Sequence, residues 1–137
     1  MSVLRTAIIQ KLKATSAVTT LATGGIWAKA APEGAASYPL VVVSFQDPPA
    51  GSRVFQEIAY EEATLLVKAI DLSTSSQKAG EIAAAIRTAL DGLASLTITG
   101  YTLISLVWLS DLDMVEEAEE GVYQHEGGFY QLTVRKS

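Results

Sequence analysis

The sequence predicts an α+β fold: a single antiparallel or mixed β-sheet with two helices packed on one face, in one domain spanning residues 1–137. Three observations lead there. Ala79, Ile82, Ala83, Ile86, Leu90 and Leu93 recur at helical spacing and form one apolar stripe. Leu40 to Phe45 is a largely β-branched apolar run closed by Asp47, Pro48, Pro49 and Gly51, the pattern of a strand entering a turn. Helical and strand-like segments follow in the order α, β, α, β, which suits a sheet covered on one side. A chain of 137 residues can bury roughly two-thirds of its unfolded surface, enough for one core.

The first helix is expected from Val3 to about Lys13, because Leu4, Ala7, Ile8 and Leu12 fall on one face and Ser2 stands before them as N-cap. Ser16 is expected to cap a second short turn carrying Val18 and Leu21, which Gly24 and Gly25 stop. Ile26 to Ala30 reads as a short strand, and Ala31 to Pro39, with Pro32, Gly34 and Pro39, as a loop. Leu40 to Phe45 reads as a central strand. After a strand-like approach from Val54 to Tyr60, the alternation of Ala63, Leu65, Val67 and Ala69 gives another strand, ending near Asp71. Thr74 with Gln77 forms the expected capping box of the long helix, and Gly92 its left-handed C-terminal residue. Tyr101 to Leu109 is the next strand. An acidic loop is expected over Asp111 to Glu120, and then a closing hairpin of Tyr123 to Gln124 with Phe129 to Val134, turning at Gly127 and Gly128.

Composition narrows the functions open to this chain. Hydrophobic residues make up 49%, a globular value. The absence of cysteine excludes thiolate catalysis, iron–sulfur clusters and Cys-based zinc sites, and gives no sign of an oxidising compartment. The longest apolar stretches fall far short of the roughly 20 residues that span a bilayer, so no membrane role is expected. Arg5, Gln10, Lys11 and Lys13 leave no room for a signal peptide's apolar core, so the mature chain is expected to start near Met1. The net charge of −5 is concentrated in Asp111, Asp113, Glu116, Glu117, Glu119 and Glu120, and without these six the remainder is nearly neutral. The ten Lys and Arg are scattered, not gathered into a surface for gripping nucleic acid.

Signatures of catalysis are missing. There is one histidine, His125, and no G-x-S-x-G elbow to present a serine to it. Neither a phosphate-cradling G-x-x-x-x-G-K-[ST] nor a dinucleotide G-x-G-x-x-G occurs. The acidic segment does not meet the spacing of a calcium loop, which leaves a solvated loop or, in an assembly, a channel-facing wall that repels DNA. His125 reads as a hydrogen-bonded structural residue, and Trp27 and Trp108 as core. Tyr60, Glu61 and Glu62 read as a rim contact or as the polar entry to a strand. No enzyme activity is expected, and no catalytic residue, cofactor or metal ligand is assigned.

Five segments, taken in order, are familiar: I-W-A-K-A-A-P-E-G (Ile26 to Gly34), Y-P-L-V-V-V-S-F-Q-D-P-P (Tyr38 to Pro49), A-Y-E-E-A-T-L-L-V-K-A (Ala59 to Ala69), A-L-D-G (Ala89 to Gly92) and Y-Q-H-E-G-G-F-Y (Tyr123 to Tyr130). Together they resemble the tail terminator, or tail completion, family of long-tailed bacteriophages and prophages. The resemblance implies a small α+β structural subunit that caps the tail tube as a ring, hexameric in that family, stops its elongation and provides the head-joining surface. It implies as partners other copies of the chain, the tail tube protein and head–tail connector proteins, with DNA met only by passage through the lumen. It places the protein in the virion, at the tail or neck, after assembly in the host cytoplasm. Contacts between copies are then expected at Tyr60, Glu61, Tyr123, His125, Gly127 and Gly128, with arms at Ala31 to Pro39 and Asp47 to Arg53, and the lumen at the acidic segment. A neck adaptor or stopper is the nearest alternative. A small ligand-binding α+β domain, hinted at by Tyr123, Gln124 and His125, is the other.

Overall fold

The computed structural model describes residues 2–29, 37–47, 53–55 and 58–137. The first helix, α1 (Ser2–Lys13), buries Leu4, Ala7, Ile8 and Leu12 as their spacing dictates. Ser2 lies inside α1, not ahead of it as a cap. The short α2 (Ser16–Thr19) takes Thr15, not Ser16, as its N-cap: Thr15 has the extended backbone (φ −97°, ψ 103°) a cap needs. Its hydroxyl caps nothing, because it donates back to the Lys11 carbonyl at 2.8 Å. Gly24 permits a close approach, since a Cβ there would overlap the Ser37 carbonyl oxygen, and its N–H donates to the Pro39 carbonyl at 2.7 Å.

The strands are β1 (Ile26–Ala28), β2 (Leu40–Asp47), β3 (Arg53–Phe55), β4 (Ile58–Leu72), β5 (Tyr101–Ala118) and β6 (Gly121–Lys136). They form one sheet in the order β1-β2-β4-β6-β5, with β3 pairing the start of β4. Only the β1–β2 pair is parallel among the described strands, so the sheet is mixed. β2 lies inside it, as its unbroken apolar run suggests. On β4 the alternate residues Ala63, Leu65, Val67 and Ala69 are buried, as the two-residue period predicts.

α3 (Gln77–Leu90) buries Ala79, Ile82, Ile86 and Leu90 and packs on β6 and β4, while α1 packs on β1 and β2. Both helices share one core cluster with Val41, Val43, Leu65, Val67, Tyr130 and Leu132, and so cover the same face of the sheet. Each fully buried Leu or Ile there stabilises the fold by roughly 2 kcal/mol. The Thr74–Gln77 capping box does not form. Ser76 is the N-cap of α3, and the Gln77 N–H is met by the Ser75 hydroxyl at 3.2 Å. At the other end Gly92 is left-handed (φ 74°), as expected. The arms expected at Ala31 to Pro39 and Asp47 to Arg53 lie mostly outside the described residues.

The largest departure from expectation is at the C-terminal end. Asp111 to Glu120 is not a loop: β5 runs unbroken to Ala118, and Glu119 and Glu120 are the turn of a long hairpin. Gly127 and Gly128 are not a turn either. They sit in the middle of β6, between β4 and β5. Glycine at 127 answers close packing, since a Cβ there would overlap the Val67 carbonyl and lie about 2.5 Å from the Lys68 Cα.

Candidate functional site

The β5–β6 hairpin carries most of the residues singled out from the sequence. β5 is an edge strand, and edges with unpaired N–H and C=O groups are where other chains add. Part of this edge is covered from within. Beyond the end of α3, the Gly92 N–H donates to the Leu106 carbonyl at 2.8 Å, and the Asp91 carboxylate accepts the Trp108 N–H at 2.9 Å. The Trp108 indole N–H donates to Asp111 at 3.2 Å, and the Arg87 guanidinium lies 3.7 Å from the Trp108 ring centroid. Trp108 is therefore a half-buried clasp between helix and edge strand rather than simple core.

Exposed apolar side chains stand on both sides of the bulge between Trp108 and Ser110, Ile104 and Val107 before it being 45% and 38% exposed. Leu109, Met114 and Val115 are 46%, 43% and 56% exposed, unusual for large apolar side chains on one strand. The six acids lie on the same stretch, all exposed. Asp111 is held by Trp108, Glu116 by His125 at 2.9 Å, and Glu120 by the Tyr123 hydroxyl at 3.5 Å. Among the described residues, Asp113, Glu117 and Glu119 have no side-chain hydrogen-bond or ion-pair partner.

The residues expected at a contact between copies are placed differently from one another. His125, Gly127 and Gly128 are buried inside the subunit on the internal strand β6, so they support the hairpin instead of offering a surface. Tyr123 is half-buried, its ring 5.4 Å from that of Tyr38. Its phenol pKa is pushed up to about 12, first by the hydrogen bond with Tyr38, then by burial and Glu120. Tyr60 and Glu61 pair with Arg135 and Val134 near the start of β4 and are half-buried. Glu61 also accepts a hydrogen bond from Tyr101, whose pKa is raised, chiefly by burial and then by Glu61.

Between α3 and the hairpin runs an open groove bordered by Gly80, Arg87, Asp111, Asp113 and Glu126. Glu126 packs against Gly80, one carboxylate oxygen buried without a hydrogen-bond partner among the described residues. Burial raises its pKa, and Asp113 and Asp111 raise it further. Among the described residues no group of three or more His, Asp or Glu is arranged to hold a metal ion, and no helix is long and apolar enough to cross a membrane.

This is a molecule of edges and open grooves. Its residues 6–132 match the family described as "Tail completion protein gp17". The chain belongs to that tail completion family. Among solved structures it is similar to a chain in the virion of a native gene transfer agent particle, at 22% identity and a TM-score of 0.72, covering 96% of this chain and 94% of that one. No curated protein matches. The family match takes in most of the sheet and both main helices, and membership makes this a structural protein of a phage-type tail, located in the virion.

No signal in the sequence marks the Trp108 clasp. Arg87 and Asp91 are one turn apart on α3 and its C-cap, but Trp108 lies 17 residues beyond Asp91 and further still from Arg87.

Proposed function

We propose that this tail completion protein caps the end of the tail tube as a closed ring of copies, stops the tube's elongation, and presents the surface to which the head is joined. The match to the tail completion family over residues 6–132 carries this reading. Its sheet supports it: β1 and β5 are two different edges on opposite sides of one subunit, and a ring closes through contacts between two different patches related by rotation. Six copies is the number the family resemblance implies. The tail tube protein would lie on one side of the ring and head–tail connector proteins on the other, with DNA passing through the lumen, where a net charge of −5 disfavours adhesion.

Particles assembled without the protein test this reading by negative-stain electron microscopy. Overlong tails, or heads and tails left unjoined, are the expected result. Filled heads that leak DNA past tails of normal length would make it a stopper of the neck, and particles of normal form would end the proposal.

A further inference from the structure

Charge divides this subunit by edge. Residues 2–29, which build α1, α2 and β1, contain Arg5, Lys11, Lys13 and Lys29 and no Asp or Glu. Residues 109–120, the distal half of β5 and its turn, contain six acids and no Lys or Arg. The two segments are far apart in the sheet order, since α1 packs over β1 and β2 while β5 is the opposite edge. Lys13 and Lys29 are exposed on the basic side, and Asp113, Glu117 and Glu119 on the acidic one. The acidic edge also exposes Leu109, Met114 and Val115, apolar area that a purely solvated strand would not carry.

We infer that the distal half of β5, from Leu109 to Glu119, docks against the basic α1/β1 side of a second copy of this chain, each subunit giving one edge and receiving the other. This rests on the ring reading above and names its joint. The occupant is a second copy because this chain itself carries the complementary charge on its opposite side, so one contact repeated head to tail uses both. Opposite potentials set orientation and register, and burial of Val115, on the same face of the strand as Asp113 and Glu117, supplies apolar contact. The clasp of Asp91 and Gly92 on Leu106 and Trp108 occupies those outward backbone groups, which favours docking on the stretch beyond it.

Virions assembled from an equal mixture of 15N-labelled and unlabelled protein provide the test. A carbodiimide joins carboxylates directly to lysine amines, and mass spectrometry separates links between copies from links within one. The expected links join Glu117 or Glu119 of one copy to Lys11, Lys13 or Lys29 of another. Acids that stay uncoupled, as in a wall facing DNA, or that couple to other lysines, overturn the joint. If a spacer reagent still yields a ladder of linked copies, the ring survives that failure; a ladder that stops at one copy removes ring and joint together. As a second measurement, Glu117→Lys with Glu119→Lys should cut the yield of completed tails by about tenfold or more. Adding Lys13→Glu and Lys29→Glu to the same chain should restore it. All four sites are exposed, so circular dichroism should show unchanged folding. Failure of the fourfold variant to regain tails, with its fold intact, overturns the inference.

Discussion

Glu116 Oε1 lies 2.9 Å from His125 Nε2, a diagonal contact across the β5–β6 ladder in which His125 pairs with Met114 and Glu116 with Tyr123. The histidine side chain is 8% exposed and the glutamate 55%, so the two members are not equivalent. Glu116→Ala removes a partner that water can largely replace and should cost no more than about 1 kcal/mol in urea denaturation. His125→Ala leaves a space beneath the hairpin and should cost about 2–3 kcal/mol. Equal losses would mean that the hydrogen bond, not packing, sets the value of the site.

The Trp108 clasp should behave as a unit. Asp91→Ala leaves the Trp108 N–H without its carboxylate, and Arg87→Ala removes the cation over the ring; each should cost about 0.5–1.5 kcal/mol. The double variant should fall short of the sum, because both changes loosen the same strand. Amide exchange is the sharper measurement: protection at Gly92 and Trp108, whose N–H groups make the clasp, should drop while that of β4 stays unchanged.

Two glycines separate steric from conformational demands. Gly127→Ala would place a Cβ against the Val67 carbonyl and Lys68 backbone, and should cost more than about 3 kcal/mol or prevent folding. Gly92→Ala meets nothing within 4 Å; its cost comes from φ 74° alone and should be about 1 kcal/mol. Thermal unfolding of the two variants side by side checks the order.

Glu126 makes stability depend on pH. Burial lifts its folded-state pKa above the ordinary 4.5, with Asp113 and Asp111 adding to the shift. A carboxyl of raised pKa stabilises the fold while protonated, and this contribution is fully present below the unfolded value and lost as pH rises through the folded one. Glu126→Gln should therefore raise Tm at pH 7, with the gain shrinking as pH falls toward 4.5. A gain independent of pH would assign the effect to packing on Gly80.

Where periodicity carries information, the fold was legible. The stripe of Ala79, Ile82, Ile86 and Leu90 and the alternation of Ala63 to Ala69 each record which side faces the core. The distal half of β5 was not legible for the same reason: no helix covers it closely, so its side chains obey no inward–outward rule and its acids read as a loop. Gly127 and Gly128 misled because glycine marks close approach of two backbones as well as turns. The clasp on Trp108 could not be read at all, since contacts between α3's C-cap and β5 leave no periodic trace. Family membership was legible only from several weak segments in their order, none of which marks a contact.

The concentration of acid on one strand also bears on how two copies of the chain can meet. Two unassembled copies meeting through their β5 strands would set Asp113, Glu117 and Glu119 against the same residues of the other, and like charges placed opposite one another on adjoining strands disfavour pairing. Edge-to-edge twins and sheet-like precipitates of this chain are thereby disfavoured.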